Sequence, residues 1–240
     1  KTSLQRGLTM PREIDNVIRE RKTAKNLNNE LNCQPLSTVI ASEIKTALEE
    51  ITEIAGWAPF HKPAHKATHL DVDSISIVPW RFYVLEKSAC CALLDFIKSK
   101  ANDEPDSIWA KKLGSSVPKM LAACGALIQV TWLPNPPEEG DEITFDQGNI
   151  EHVAAASSAV QNLLLAAQAR GLHNYWSSGG ALMRHADTYN LLGIPHNQEL
   201  LGSIFLTHPD QTFDKNLAGS LREKRGTVAD WTKWVTLNGG

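Results

Sequence analysis

An α+β fold is what this sequence predicts, and three observations carry the expectation. Segments with helical periodicity outnumber strand-like runs. Those runs do not alternate regularly with helices, as a doubly wound parallel sheet would require. Neither G-x-G-x-x-G nor G-x-x-x-x-G-K-[ST] follows any of them, so the dinucleotide fingerprint and the P-loop are both excluded.

The elements follow in order. Pro11 to Lys22 reads as a helix, with Ile14, Val17 and Ile18 at helical spacing. Ser37 to Gly56 reads as another, with Ser37 as N-cap and Val39, Ile40, Ile44, Leu48, Ile51 and Ile54 as its apolar stripe. Ile77 to Glu86 is strand-like, placing Phe82 and Val84 opposite Tyr83 and Leu85, with Pro79 at its start. Ser88 to Lys100 and Ser107 to Ala123 are read as helical. The apolar run Gly125 to Leu133 fits a buried strand. Pro134 to Asp146 is proline-rich and acidic, a surface loop and candidate lid. A long helix then begins at Ile150, with Asn149 as its N-cap, Arg170 in its last turn and Gly171 as a left-handed stop. Leu182 to Leu192 is a short helix closed by Gly193, and Leu200 to Thr207 is the last clear strand.

The chain has 240 residues, 42% of them apolar and 21% charged, which suits one domain with a sizeable core. Residues 1–10 read as a leader, and residues 11–240 as a single domain. A net charge of −3 gives no broad attraction to nucleic acid. No apolar run approaches the ~20 residues that span a bilayer. Cys33, Cys90, Cys91 and Cys124 form no C-x-x-C pair, which argues for free thiols in a reducing compartment and a cytoplasmic location.

Three stretches could carry chemistry. The helix from Ile150 is nearly all small residues between Ala154 and Ala159, and it delivers the chain into Trp176-Ser177-Ser178-Gly179-Gly180. That segment reads either as a tight loop with a core tryptophan or as a backbone ledge for a flat polar ligand. Two basic clusters, one of Arg19, Arg21, Lys22 and Lys25 and the other of Arg222, Lys224 and Arg225, lie far apart in sequence. Each alone reads as a solvated charge run. Together they suggest an anion clamp, with Thr23 as a hydroxyl donor and a mononucleotide such as FMN as the ligand. His61, His65 and His69 recur every fourth residue. Pro63 and the neighbouring Lys62 and Lys66 weigh against a metal site there, so the stretch is read as an insertion.

Four segments in order resemble the nitroreductase family of FMN-dependent oxidoreductases: Arg21-Lys22-Thr23-Ala24-Lys25, Ala58-Pro59-Phe60-His61-Lys62, Pro79-Trp80-Arg81-Phe82 and Trp176-Ser177-Ser178-Gly179. Leu192-Gly193-Ile194-Pro195 and Lys224-Arg225 extend the likeness to roughly residues 12–230. It is nearest to small bacterial members that carry A-P-x-H-K before P-W-x-F. Here residues 60–76 form an insertion between those motifs, and Ser177 stands where such relatives often have arginine.

The resemblance implies a central, mostly antiparallel sheet flanked by helices. It also implies a homodimer with a domain-swapped C-terminal arm carrying Trp231 and Trp234. FMN would be held by Arg21, Lys22, Thr23, Lys25 and Arg225 at its phosphate and ribityl chain, and by Trp176, Ser177, Ser178 and Gly179 beside its ring. Trp57 and His61 would reach it from the partner subunit. The small-residue helix would pack closely across the two-fold axis. NADH or NADPH would be the reductant and a nitroaromatic, quinone or similar small molecule the acceptor, in ping-pong turnover. No protein acid–base residue and no metal are expected. Two alternatives are carried with this one. They are other FMN chemistry on the same fold, such as reductive dehalogenation or flavin fragmentation, and a non-catalytic dimeric interaction protein.

Overall fold

The computed structural model describes residues 13–65, 76–136 and 142–236. The proposed leader, His69 and most of the 60–76 insertion lie outside these residues, as does the centre of the acidic loop. Helix α1 (Glu13–Glu20) leads into a short strand β1 (Ala24–Leu27) and then α2 (Thr38–Ala55). Strand β2 (Trp80–Glu86) runs directly into α3 (Lys87–Asp103). Next come α4 (Ile108–Lys112), α5 (Ser116–Ala123), β3 (Ala126–Trp132) and the long α6 (Gln147–Ala169). Strand β4 (His173–Ser177) is followed by α7 (Gly180–Met183), α8 (Ala186–Leu192) and β5 (Glu199–Thr207). The chain ends with β6 (Lys215–Ala218), a 3-10 turn (Arg222–Lys224) and α9 (Val228–Trp231).

The central sheet has the order β2-β3-β5-β4 and is antiparallel throughout, and β1 pairs with β6 in a separate antiparallel ribbon. A single parallel bridge between Thr23 and Asn174 joins the ribbon to β4. The fold is therefore α+β, as the sequence predicts.

Strand β3 is buried along its length because helices cover both its faces. Leu127 packs towards α3, α5 and Trp109, whereas Ala126, Ile128 and Val130 pack towards α2 and α6. Ser37 caps α2 as expected, its hydroxyl accepting from the Ile40 amide at 3.3 Å. Helix α6 departs from expectation at its start. Asp146 is its N-cap, accepting from the Asn149 amide at 2.8 Å. Asn149 is buried one turn further in, where its side chain accepts from Asn135 N (2.8 Å) and donates to Thr144 O (2.6 Å). A polar residue with two good backbone partners is more stable there than as an exposed cap.

Other boundaries also shift. The stretch 107–123 is two helices, broken at Leu113-Gly114-Ser115, and 180–192 is likewise two. Residues 173–177, to which the sequence assigned no strand, form edge strand β4. The small residues of α6 serve the subunit itself: Ala155, Ala156 and Ala159 are buried beneath Trp80 and Trp132. Their small volume makes room for two indoles, while Ala154, Ser157 and Ser158 on the other face of the helix stay accessible.

The cysteines require a correction. Cys33 and Cys91 form a disulfide with their Cα atoms 5.7 Å apart, while Cys90 and Cys124 are free and buried. Adjacent residues on a helix point in different directions, so Cys91 meets the loop after β1 while Cys90 turns into the core. The expectation of four free thiols fails on this spatial pairing, and the case for a reducing compartment loses its support.

Candidate functional site

The two basic clusters, some 200 residues apart in sequence, converge on one cavity. The β1–β6 ribbon brings them together. Ala24 pairs with Ala218 at one end, so the residues before β1 and those after β6 must leave the ribbon side by side. Arg21, Lys22 and Thr23 line the cavity from one strand, and Gly219, Ser220, Arg222 and Arg225 line it from the other. Tyr175 of β4 and Trp231 of α9 close it, and its volume is about 800 Å³. Gly219 allows the close approach: a Cβ there would lie 2.9 Å from the Thr23 Cβ, and its amide donates to Thr23 O at 3.3 Å.

The charge in this cavity is unbalanced. Arg222 is committed, donating to the Arg19, Glu20 and Arg21 carbonyls at the C-terminal end of α1, with Glu223 at 3.7 Å from its Nε. Arg21, Lys22 and Arg225 have no carboxylate partner among the described residues. Burial pushes the Arg21 pKa down, and the positive charges of Arg222 and Arg225 push it further. Burial and the neighbouring Lys22 and His208 also hold His173 below the usual histidine range. Guanidiniums crowded without an anion form a site that an anion would relieve, and a phosphate offers the oxygens their fork geometry matches.

Strand β4 connects this cavity to the glycine ledge. At ~3.3 Å per residue, Ser177 at the end of β4 lies roughly 7 Å beyond Tyr175, and Ser178 and Gly179 follow it, at most about 13 Å away. Since β4 is the edge of the sheet and its outer bridge is at Asn174, the backbone beyond Tyr175 has no outer strand partner among the described residues. Trp176 is half-exposed and its indole lies against Gly202, where any Cβ would strike it. The buried Ser177 hydroxyl accepts from the Gly179 amide at 3.2 Å, and Arg184 donates to Ser178 O (3.2 Å) and Leu200 O (2.7 Å). Gly179 has φ 79°, and a Cβ there would sit 2.8 Å from Leu200, Met183 and Ser203, so glycine is required twice over.

Residues 41–207 match the nitroreductase family model. The chain belongs to the nitroreductase family. Solved structures of the same fold include a nitroreductase-like family protein from Bacillus cereus, 21% identical, with a TM-score of 0.54 over 92% of this chain and 99% of that one. A nitroreductase with bound FMN from Desulfitobacterium hafniense is 18% identical, with a TM-score of 0.53 over 95% and 100%. A nitroreductase with bound FMN from Bacteroides fragilis is 14% identical, with a TM-score of 0.55 over 94% and 100%. No curated protein matches the chain. At these identities the structural likeness establishes the nitroreductase fold and leaves the ligand to be argued from residues.

Of the expected site residues, the cavity gathers Arg21, Lys22, Thr23 and Arg225, and the strand leaving it carries Trp176, Ser177, Ser178 and Gly179. Lys25 points elsewhere: it donates to Ser116 at 2.7 Å and lies over the Tyr175 ring at 5.6 Å. Trp57 and His61 lie beyond the end of α2, near the β2 edge of the sheet where Phe60 packs on Trp80. Three strand spacings, roughly 14 Å, separate that edge from β4. One subunit therefore does not bring them to the cavity. His61 and His65 are exposed and not on a helix, and no described cluster has metal-ligating geometry. Tyr175, Gly219 and Arg184 were absent from the expected set. For Tyr175 the available signal was strand alternation in His-Asn-Tyr-Trp-Ser, which two flanking glycine turns obscured.

Proposed function

We propose that this chain is an FMN-dependent oxidoreductase that passes electrons from NADH or NADPH to a small electron-poor acceptor, working as a homodimer. The observation that carries the reading is the unneutralised guanidinium cavity at the start of an edge strand whose far end is a glycine ledge. The cavity fits a phosphate monoester, and the ledge fits a flat heterocycle about 10 Å away. FMN bound there would supply the redox chemistry, accepting a hydride and passing electrons on in ping-pong turnover.

The chain's own residues have supporting roles. Arg21, Lys22 and Arg225 bind the phosphate, with Thr23 offering a hydroxyl. Arg222 fixes the end of α1, so that Arg21 is presented to the cavity. Arg184 and Ser177 hold the Ser178–Gly179 peptide rigid, and preorganised backbone dipoles of this kind stabilise developing charge without rearranging. None of these groups needs to move a proton.

The exposed apolar residues support the dimer. Trp57, Leu221, Trp231, Trp234 and Val235 are more than half exposed, which a lone subunit does not favour. A second subunit would cover them and could bring its own Trp57 and His61 to the site. Among the described residues no helix is long and apolar enough to cross a membrane.

The experiment is direct. Purified protein should be yellow, and it should oxidise NADH or NADPH only when a quinone or nitroaromatic is present. The double variant Arg21→Ala with Arg225→Ala should lose bound flavin, with affinity falling about 100-fold or more on the scale of two charge-assisted hydrogen bonds. Full flavin occupancy in that variant would remove the phosphate assignment.

A further inference from the structure

The Cys33–Cys91 disulfide lies at the opposite end of the ribbon that carries the cationic cavity. Ala24 and Ala218 mark the cavity end, while Leu27 and Lys215 mark the other, roughly 10 Å away. Beyond Leu27 the chain enters a mostly polar loop, Asn28-Asn29-Glu30-Leu31-Asn32-Cys33, of which Leu31 and Cys33 are the residues that pack against the core. Its attachments are few. Asn28 N donates to Lys119 O (3.0 Å), Asn29 N donates to Asp214 Oδ2 (2.7 Å), and Asp214 N donates to Leu27 O (3.0 Å). Asp214 therefore ties this loop to the residue that opens β6.

Leu31 in the same loop has φ 56°, a left-handed conformation unfavourable for a leucine. Surrounding structure must impose it, and the covalent link two residues later to the rigid helix α3 is the strongest such constraint. In the ribbon β1 is largely buried, whereas its partner β6 is fully exposed and is held by its pairing with β1 and by Asp214. The bond is open to reagents, since Cys33 and Cys91 are half-buried and line a cavity of about 350 Å³ beside Leu36 and Ile44.

We propose that this disulfide is a reducible staple: closed, it orders the β1–β6 ribbon and assembles the cationic cavity; open, it lets the ribbon loosen and weakens phosphate binding. A dithiol supplies the chemistry. One S–S bond breaks and two S–H bonds form on Cys33 and Cys91, while the dithiol loses two electrons and two protons and closes its own disulfide. Cys90 and Cys124 stay buried and take no part. That FMN is the ligand rests on the function proposed above, whereas the ordering of the ribbon does not.

The test uses flavin-free protein before and after treatment with dithiothreitol. Amide hydrogen exchange over residues 24–29 and 214–219 reads the ribbon without any flavin, and quenching of FMN fluorescence reads affinity. Reduction should speed exchange in both segments. If the open ribbon is ordered about a tenth of the time, the FMN dissociation constant rises about ten-fold. Cys91→Ser should match the reduced protein and ignore dithiothreitol; the wild-type comparison stands even if that variant does not fold. Unchanged exchange on reduction overturns the staple, as does faster exchange with unaltered FMN affinity. Faster exchange in a protein that takes up no FMN in either state supports the staple and removes the flavin.

Discussion

At the residue scale, charge imbalance explains more than any single contact. Arg21, Lys22, Thr23 and Arg225 were legible in the sequence because cationic side chains with a hydroxyl among them point to an anion. The residues that shape the space around them were not. Gly219 looks like any loop glycine until Thr23 is found against it, and Tyr175 needed the strand assignment. Lys25 has the same basic character, but its amine donates to Ser116 and it does not line the cavity. His173 makes a test of this local field. Burial and Lys22 hold its pKa below the ordinary value, so the unfolded chain binds more protons than the native one in that window. Stability therefore rises with pH through the window and falls on acidification from about 7 towards 5. His173→Asn should flatten that slope in thermal melts at several pH values, and an unchanged slope would place the titration elsewhere.

At the element scale, strongly periodic segments were readable and their ends were less so. The apolar stripe and Ser37 defined α2 almost to the residue. The start of α6 was misplaced because Asp146 and Asn149 are both good capping residues, and only the partners of Asn149 in the preceding loop decide between them. Asp146→Ala should cost about 1 kcal/mol, the worth of an exposed N-cap. Asn149→Ala should cost about 2 kcal/mol, because two buried hydrogen bonds are lost. Urea denaturation of the two variants checks the order. The short strands β1, β4 and β6 were invisible for a common reason. Each has four or five residues, and their pairing depends on partners up to roughly 200 residues away.

For the whole molecule, antiparallel closure of first and last segments places the site. Residues from both ends of the chain meet beside β4, and neither half could form the cavity alone. The segment that follows has Trp234 at 92% exposure and Val235 at 73%, which the proposed dimer would cover. Ending the chain after Gly226 removes Trp231, Trp234 and Val235 but keeps Arg225. Sedimentation velocity should show that protein shifted towards monomer, and a dimer as stable as the full chain would put the interface elsewhere. The disulfide was the largest surprise at this scale, because spacing in sequence says nothing about two cysteines that a fold brings together.

In the proposed function, a cavity built from residues far apart in the chain grips a phosphate and thereby a flavin. Comparing FMN with riboflavin tests it most directly, since the two share the ring and differ by that phosphate. The account predicts that the flavin-free protein binds FMN at least about 100-fold more tightly than riboflavin, the worth of two charge-assisted hydrogen bonds. Equal affinity for the two would contradict it.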